Sequence, residues 1–343
     1  LGTIADVAPL TGENHTLVRH GLEVLATTDK PGLVALKAVS DVDNRVTARS
    51  VGFALGPRLN AAGRLGKADN GFHLLTSVDL KEAKELAQEL NVINQERKDI
   101  QKLVQDEAEY LIGREVNLEE DRVIVLASEN FHSGVVGIVA SRVVEKYFRP
   151  AVLIALENGV GKGSGRSIPH FNLHRAFTEC TRYLTQFGGH AYAAGLTINE
   201  NNLDLFRNAI NEVGRRILSD ENLVPELFLD ESIKISEIDE TLSEQVTFLE
   251  PFGAENPSPV FLVQNISVYG LKRIGREESH VRFQAVQGDA RIDAVGFNLA
   301  EEFTSIDEKL DKVDLACEFQ VNDWGGRNKL ELKVLDLRHS VKR

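Results

Sequence analysis

Arg122-Val123-Ile124-Val125-Leu126 and Ala151-Val152-Leu153-Ile154-Ala155-Leu156 are two short apolar runs, and residues 134–147 between them are patterned as a helix. Runs this short and continuous read as strands buried on both faces, so the segment predicts a βαβ unit. Working outward, 159–167 is glycine-rich, 173–184 has helical periodicity, Gly188-Gly189 reads as a tight turn, and 193–198 leads into a helix over 202–218. These pieces predict one α/β domain over residues 119–222.

Before it, Leu80, Ala83, Leu86, Ala87, Leu90, Ile93, Ile100, Leu103, Val104, Ala108 and Leu111 recur mostly at spacings of three and four. That period predicts a long helix, with Asp79 as its cap and Glu82 as the capping-box partner. Through residue 114 it would reach roughly 50 Å, more than a small domain needs. Residues 78–118 are therefore expected to connect two lobes, with a helical hairpin broken near 91–94 as the alternative. Residues 1–77 mix short apolar runs with Gly and Pro, with helix-like stretches near 14–26 and 31–40, and read as part of a lobe. Beyond Pro225, strand candidates near 227–235, 259–268, 280–287, 290–297, 313–321 and 329–337 predict a small barrel over 223–343. The expected fold class is α/β followed by a C-terminal β-barrel.

At 343 residues with 42% hydrophobic content, the chain is long enough for two or three cores. Lys and Arg total 39 against 52 Asp and Glu, a net charge of -13, which excludes polyanion binding over the whole surface. Any nucleic-acid site must be a local basic groove. Cys180 and Cys317 lie far apart, which excludes a disulfide framework and a four-cysteine zinc site. No membrane-length apolar run or leader pattern is visible, so a cytoplasmic protein is expected. There is no methionine, even at residue 1, so the chain is expected to be a fragment of something longer.

Asp6, in Gly2-Thr3-Ile4-Ala5-Asp6-Val7-Ala8-Pro9, follows a run that reads as the end of a buried strand. A carboxylate so placed suits Mg²⁺ or Mn²⁺, although an Asp capping a turn fits the segment as well. Gly56-Pro57-Arg58-Leu59-Asn60-Ala61-Ala62-Gly63-Arg64 reads as a loop in which Arg58, Asn60 and Arg64 could grip a phosphate, or as a surface turn with solvated arginines. Gly161-Lys162-Gly163-Ser164-Gly165-Arg166-Ser167 offers Ser164, Arg166 and Ser167 for the same purpose, against a flexible hairpin. No P-loop spacing occurs, so triphosphate hydrolysis has no support. Gly188, Gly189 and His190 could line a narrow pocket, and His132 precedes a helix start that would attract anions, although either histidine could be structural. In the barrel, Trp324 and Arg327 combine a stacking face with a cation, as single-strand binders do, or pack on their own hairpin.

Taken in order, these segments resemble the RecJ exonucleases of the DHH phosphoesterase superfamily. Residues 1–10 resemble the last metal motif of the DHH lobe, and 56–65 the arginine-asparagine loop that closes it. Residues 132–142, 163–167 and 187–195 resemble the signature segments of the DHH-associated domain, while 249–259 and 322–332 are similar to the family's OB-fold domain. The resemblance implies the remnant of a DHH lobe over 1–77, a connector, a DHH-associated domain and an OB-type barrel. It implies single-strand-specific 5′-to-3′ DNA exonuclease activity in repair and recombination, with two Mn²⁺ or Mg²⁺ ions. Single-stranded DNA with a 5′ end is the implied substrate and single-stranded-DNA-binding protein an implied partner, with a monomer as the default. Asp6 is the one metal ligand of the family set found here, and no Asp-His-His triplet occurs. One carboxylate cannot position two ions, so this chain is expected to be inert while the intact protein is a nuclease. Two alternatives are a noncatalytic single-strand-binding scaffold and a phosphodiesterase for short oligonucleotides.

Overall fold

The computed structural model describes residues 1–43, 45–65, 69–307, 311–322 and 329–340. The chain divides into two compact units, Leu1–Val24 with Leu227–Arg343, and Leu25–Glu226. The first begins with the single turn α1 (Gly2–Ala5), followed by α2 (Gly12–Ala26), whose last two residues belong to the second unit. The expected strand at residues 1–5 is instead a helical turn capped by Asp6, since no strand among the described residues pairs with it. Leu10 N–H donates to Ala254 O at 2.7 Å, which ties this arm to the C-terminal part of its own unit.

The second unit starts with a helical layer. α3 (Pro31–Val39) is followed by α4 (Ala48–Ser50), which runs through a π-turn over Val51–Leu55 into α5 (Gly56–Arg64), and then comes α6 (Asp69–Thr76). α3, α5 and α6 all pack on α7 (Leu80–Glu115), one unbroken helix of 36 residues, roughly 54 Å long. The hairpin alternative is set aside. Asp79 accepts from Glu82 N–H at 2.8 Å as expected, but the Glu82 carboxylate takes the Ser77 hydroxyl at 2.7 Å instead of closing a capping box.

The far end of α7 packs on β1 (Ile124–Ser128) and α8 (Val136–Tyr147). Next come β2 (Ala151–Glu157), β3 (Val160–Arg166), α9 (Leu173–Glu179), β4 (Leu184–Gly189), β5 (Ala193–Asn199) and α10 (Leu203–Ile217). The sheet order is β1-β2-β3-β5-β4, with β1 and β2 parallel and every other pair antiparallel. Both faces are covered, which explains the continuous apolar runs. Val123, Val125, Val152 and Ile154 join Phe177 and Phe206 on one face, while Ile124, Leu126 and Leu153 join Val104, Ala108 and Val139 on the other.

In the first unit, β6 (Glu231–Ser232) and α11 (Glu240–Thr247) precede the barrel strands. These are β7 (Phe261–Ile274), β8 (His280–Gln287), β9 (Ala290–Gly296), β10 (Val313–Asn322) and β11 (Lys329–His339). β7 pairs with β10 through its first half and with β8 through its second, closing the ring β7-β8-β9-β11-β10. Gly270, at φ +64, lies within the register shift that lets one 14-residue strand serve both neighbours. Phe283, Phe303, Leu315, Leu332 and Val334 fill the interior. Both cysteines are buried, and burial pushes the Cys180 thiol up to about 11 and the Cys317 thiol up to about 12. No helix among the described residues is long and apolar enough to cross a membrane.

Candidate functional site

The glycine-rich segment expected as a loop is strand β3, and its glycines alternate for a packing reason. A Cβ at Gly161 would lie 2.5 Å from Ile154 Cγ2, at Gly163 2.9 Å from Leu196 Cδ1, and at Gly165 2.5 Å from Leu173 Cδ2. The residues that alternate with them, Lys162, Ser164 and Arg166, emerge on the opposite face, since side chains alternate along a strand. On that face α8 begins. A Cβ on Gly137, in its first turn, would stand 2.9 Å from Ser164 Oγ and 3.0 Å from an Arg166 terminal nitrogen. Arg166 donates to Ser164 Oγ at 3.0 Å and to Gly165 O at 2.8 Å.

The segment 56–64, also expected as a loop, is a helix entered through the π-turn. At 3.6 residues per turn, positions six apart leave a helix about 120° from each other, so its two arginines part company. Arg58 turns toward α7, where Nε donates to Asn91 Oδ1 at 2.9 Å, while Nη1 donates back to Ala54 O in the π-turn at 2.9 Å. Burial lowers its pKa, with Asp41 acting the other way. Arg64, exposed at the helix end, donates to Gly134 O at 3.2 Å. A Cβ on Gly134 would come within 2.4 Å of Arg64 O, so the turn before α8 fits against the end of α5 only as glycine. Asn60 is exposed on α5.

The structure therefore gathers Arg64, Ser164 and Arg166 around the start of α8. His132 lies beside them, its Nδ1 accepting from Gly134 N–H at 3.0 Å. Ser167 turns away, its hydroxyl donating to Phe171 O at 2.6 Å. Gly188 and Gly189 form the end of edge strand β4 rather than a turn, because the chain reverses over 190–192. Gly188 faces Gly195 on β5, which faces Ser164 on β3, giving a row without side chains that leads across the sheet to Ser164. Gly189, at φ +139, would place a Cβ 2.5 Å from Ala193 O. His190 is exposed at the end of that strand. Asp6 is exposed, in the other unit. Trp324 and Arg327 lie outside the described residues.

Sequence reasoning missed Arg97 and Arg142. Besides Ile93 and Ile112, the buried positions of α7 form a stripe of Ala83, Ala87, Leu90, Asn94, Arg97, Gln101, Val104, Ala108 and Leu111, alternating steps of four and three. Three consecutive positions of this core stripe are polar, which is the signal that could have found them. Arg97 is only 9% exposed, and its terminal nitrogens donate to Gln101 Oε1 at 2.7 Å and Asn94 Oδ1 at 3.0 Å. Its pKa is lowered by burial and then by the positive charges of Arg64 and Arg142. That of Arg166 is lowered by burial and then by Arg64. Such a gathering of guanidinium groups with amide and hydroxyl partners suits a phosphate. Among the described residues, no group of three or more His, Cys, Asp or Glu side chains is arranged to hold a metal.

Comparison with known proteins bears on the assignment. Residues 120–215 match the DHHA1 domain, and residues 229–336 match the RecJ OB domain. The single-stranded-DNA-specific exonuclease RecJ of Bacillus subtilis (strain 168) is 36% identical over 98% of this chain and 43% of its own length. The chain belongs to the RecJ family. The RecJ of Salmonella typhimurium is 33% identical over 98% of this chain and 60% of its own length. A crystal structure of RecJ from Thermus thermophilus in complex with Mn²⁺ superposes with a TM-score of 0.84 at 30% identity, over 98% of this chain and 48% of that one. The chain thus spans about half the length of its RecJ relatives. The barrel is of the OB type, as the match to the RecJ OB domain requires.

Proposed function

We propose that this chain is the phosphate-gripping and strand-holding part of a single-stranded-DNA-specific 5′-to-3′ exonuclease. The observation that carries the reading is the convergence of Arg64, Ser164 and Arg166 on the first turn of α8. Guanidinium groups, a hydroxyl and helix N–H groups are complementary to a phosphate oxygen in charge and in hydrogen bonding. The bare row from Gly188 through Gly195 to Ser164 leaves the backbone open to a strand lying on the sheet, and His190 stands at its edge. The OB barrel, with Trp324 and Arg327, supplies stacking and backbone contacts to nucleotides further along. Resemblance supports the Trp324 and Arg327 assignment, as it does for Asn60 at the 5′ end, whereas Arg58, bonded to Asn91 and Ala54, is assigned to holding the helices.

Mn²⁺ or Mg²⁺ is the cofactor we assign to the longer protein, as two ions with Asp6 as one ligand. The described residues do not supply the donor set for them, so no hydrolytic step is assigned to this chain and it is expected not to cleave DNA by itself. A role in repair and recombination, a cytoplasmic setting, a monomeric state and contact with single-stranded-DNA-binding protein belong to the same reading.

Fluorescence anisotropy with a labelled single strand and the matching blunt duplex tests it. The chain is expected to bind the single strand at least about tenfold more tightly, with affinity falling as salt rises. Equal binding of both, or a flat salt response, would remove the reading. Release of mononucleotides in Mn²⁺ by the pure chain would remove the assignment of catalysis to a longer protein.

A further inference from the structure

Residues 1–24 share a compact unit with the barrel, although the whole of the second unit lies between them in sequence. Three hydrogen bonds among the described residues join this arm to the rest of its unit, and all three end on main-chain carbonyls of one loop, 248–256. Leu10 N–H donates to Ala254 O at 2.7 Å, His15 Nε2 to Leu249 O at 3.2 Å, and an Arg19 terminal nitrogen to Phe248 O at 3.5 Å. Phe248 and Leu249 follow the last turn of α11, where a helix leaves carbonyls unsatisfied and favours cations. Leu249 O also accepts from Asn256 Nδ2 at 3.1 Å, and the same nitrogen donates to Pro251 O at 3.0 Å. Asn256 thus holds the loop in the shape that presents Leu249 O to His15. The apolar part of the joint centres on Leu10, which is 2% exposed. A Cβ on Gly253 would stand 2.6 Å from Leu10 Cδ1, so the loop closes over Leu10 because residue 253 has no side chain. Val7 and Leu17, on either side of it, are exposed. A joint this small can part while the barrel, with its own filled interior, stays folded.

We propose that the loop 248–256 is a detachable clasp, closed on Leu10, His15 and Arg19, that holds the barrel on the N-terminal arm and lets it swing away when open. The clasp itself is independent of the nucleic-acid reading, and its effect on function rests on that reading. Closed, it makes the barrel's hold on a long strand add to the grip near α8, because a second contact within one rigid body acts at high effective concentration. Open, it lets the two contacts act separately. A short oligonucleotide that reaches one of them is indifferent to the clasp.

Distance measurements between two nitroxide labels by pulsed electron spin resonance test the clasp, with Leu17→Cys on the arm and Asp289→Cys on the barrel, both at exposed positions. Cys180 and Cys317 are buried and stay unlabelled. The parent is expected to give one narrow distance distribution. His15→Ala combined with Arg19→Ala removes two of the three bonds at side chains that are not buried, so folding is not at stake. That variant should broaden the distribution and speed exchange of the Leu10 amide at least about tenfold, with the melting temperature within about 1 °C of the parent. Gly253→Val should do the same by pushing Leu10 out of its seat. A narrow distribution and an unchanged Leu10 amide in both variants would overturn the proposal. So would broadening that comes only with a lower melting temperature, because the loop would then be part of the core and not a clasp. In binding, opening the clasp should cost a long single strand roughly fivefold in affinity and a short oligonucleotide less than about twofold. Equal losses for both would remove the clasp's part in strand holding. A parent that binds no single strand would sink the nucleic-acid reading, and the distance distributions would still decide the clasp.

Discussion

Segments 56–64 and 161–166 look alike as strings, each spacing glycines and arginines among small residues, yet they solve different problems. In the first, helical rotation sends Arg58 to Asn91 on α7 and Arg64 to the turn before α8. In the second, the two-residue period of a strand puts three glycines against Ile154, Leu196 and Leu173, and puts Ser164 and Arg166 together on the other face. Composition alone does not tell a grip from a strut. The backbone period decides which side chains act together.

The comparison breaks most readily at Gly165. Gly165→Val forces a branched side chain onto Leu173, Phe177 and Val152, and should cost about 3 kcal/mol or more in urea unfolding. A loss below about 1 kcal/mol would mean that the glycines of β3 are not there for packing. Next in size, Arg166→Ala should weaken binding of a 5′-phosphorylated single strand about tenfold, with the unfolding midpoint almost unmoved. Arg58→Ala should show the reverse pattern. It should lose about 1–2 kcal/mol of stability with its bonds to Asn91 and Ala54, and change strand affinity less than about twofold. Equal losses of affinity in the two arginine variants would erase the distinction between the segments and restore Arg58 to the phosphate group. The smallest effect is expected at Gly188, where a Cβ would meet nothing within 4 Å. Gly188→Ala should leave stability within about 0.5 kcal/mol, so any loss of strand affinity would report contact with the ligand itself.

Much of the fold was legible because it rests on periodicity. The buried runs of β1 and β2, the helix from Asp79 and the five barrel strands all lie where apolar spacing puts them. What composition suggested was less secure. Glycine in the sequence reads as loop, but in β3 it marks close packing, and in 56–64 it is carried by a helix whose Ala61 and Ala62 are buried. The start of the chain reads as a strand because Leu1 and Ile4 are apolar, whereas it forms a helical turn and no strand among the described residues pairs with it. Of the site, Arg64, Ser164 and Arg166 were visible as residue types near glycines. Arg97 was not, because an arginine within a helical apolar stripe looks like a surface residue until three successive core positions are seen to be polar.

The glycines of β3 also have a consequence at the level of the gene. Every single-nucleotide substitution that replaces a glycine codon with another sense codon for a different residue adds at least a β-carbon. At Gly161, Gly163 and Gly165 that atom would fall within 3 Å of a core side chain. Those three codons therefore have no neutral neighbours one step away that change the amino acid, so amino-acid drift in this strand is confined to the alternate positions that carry Lys162, Ser164 and Arg166.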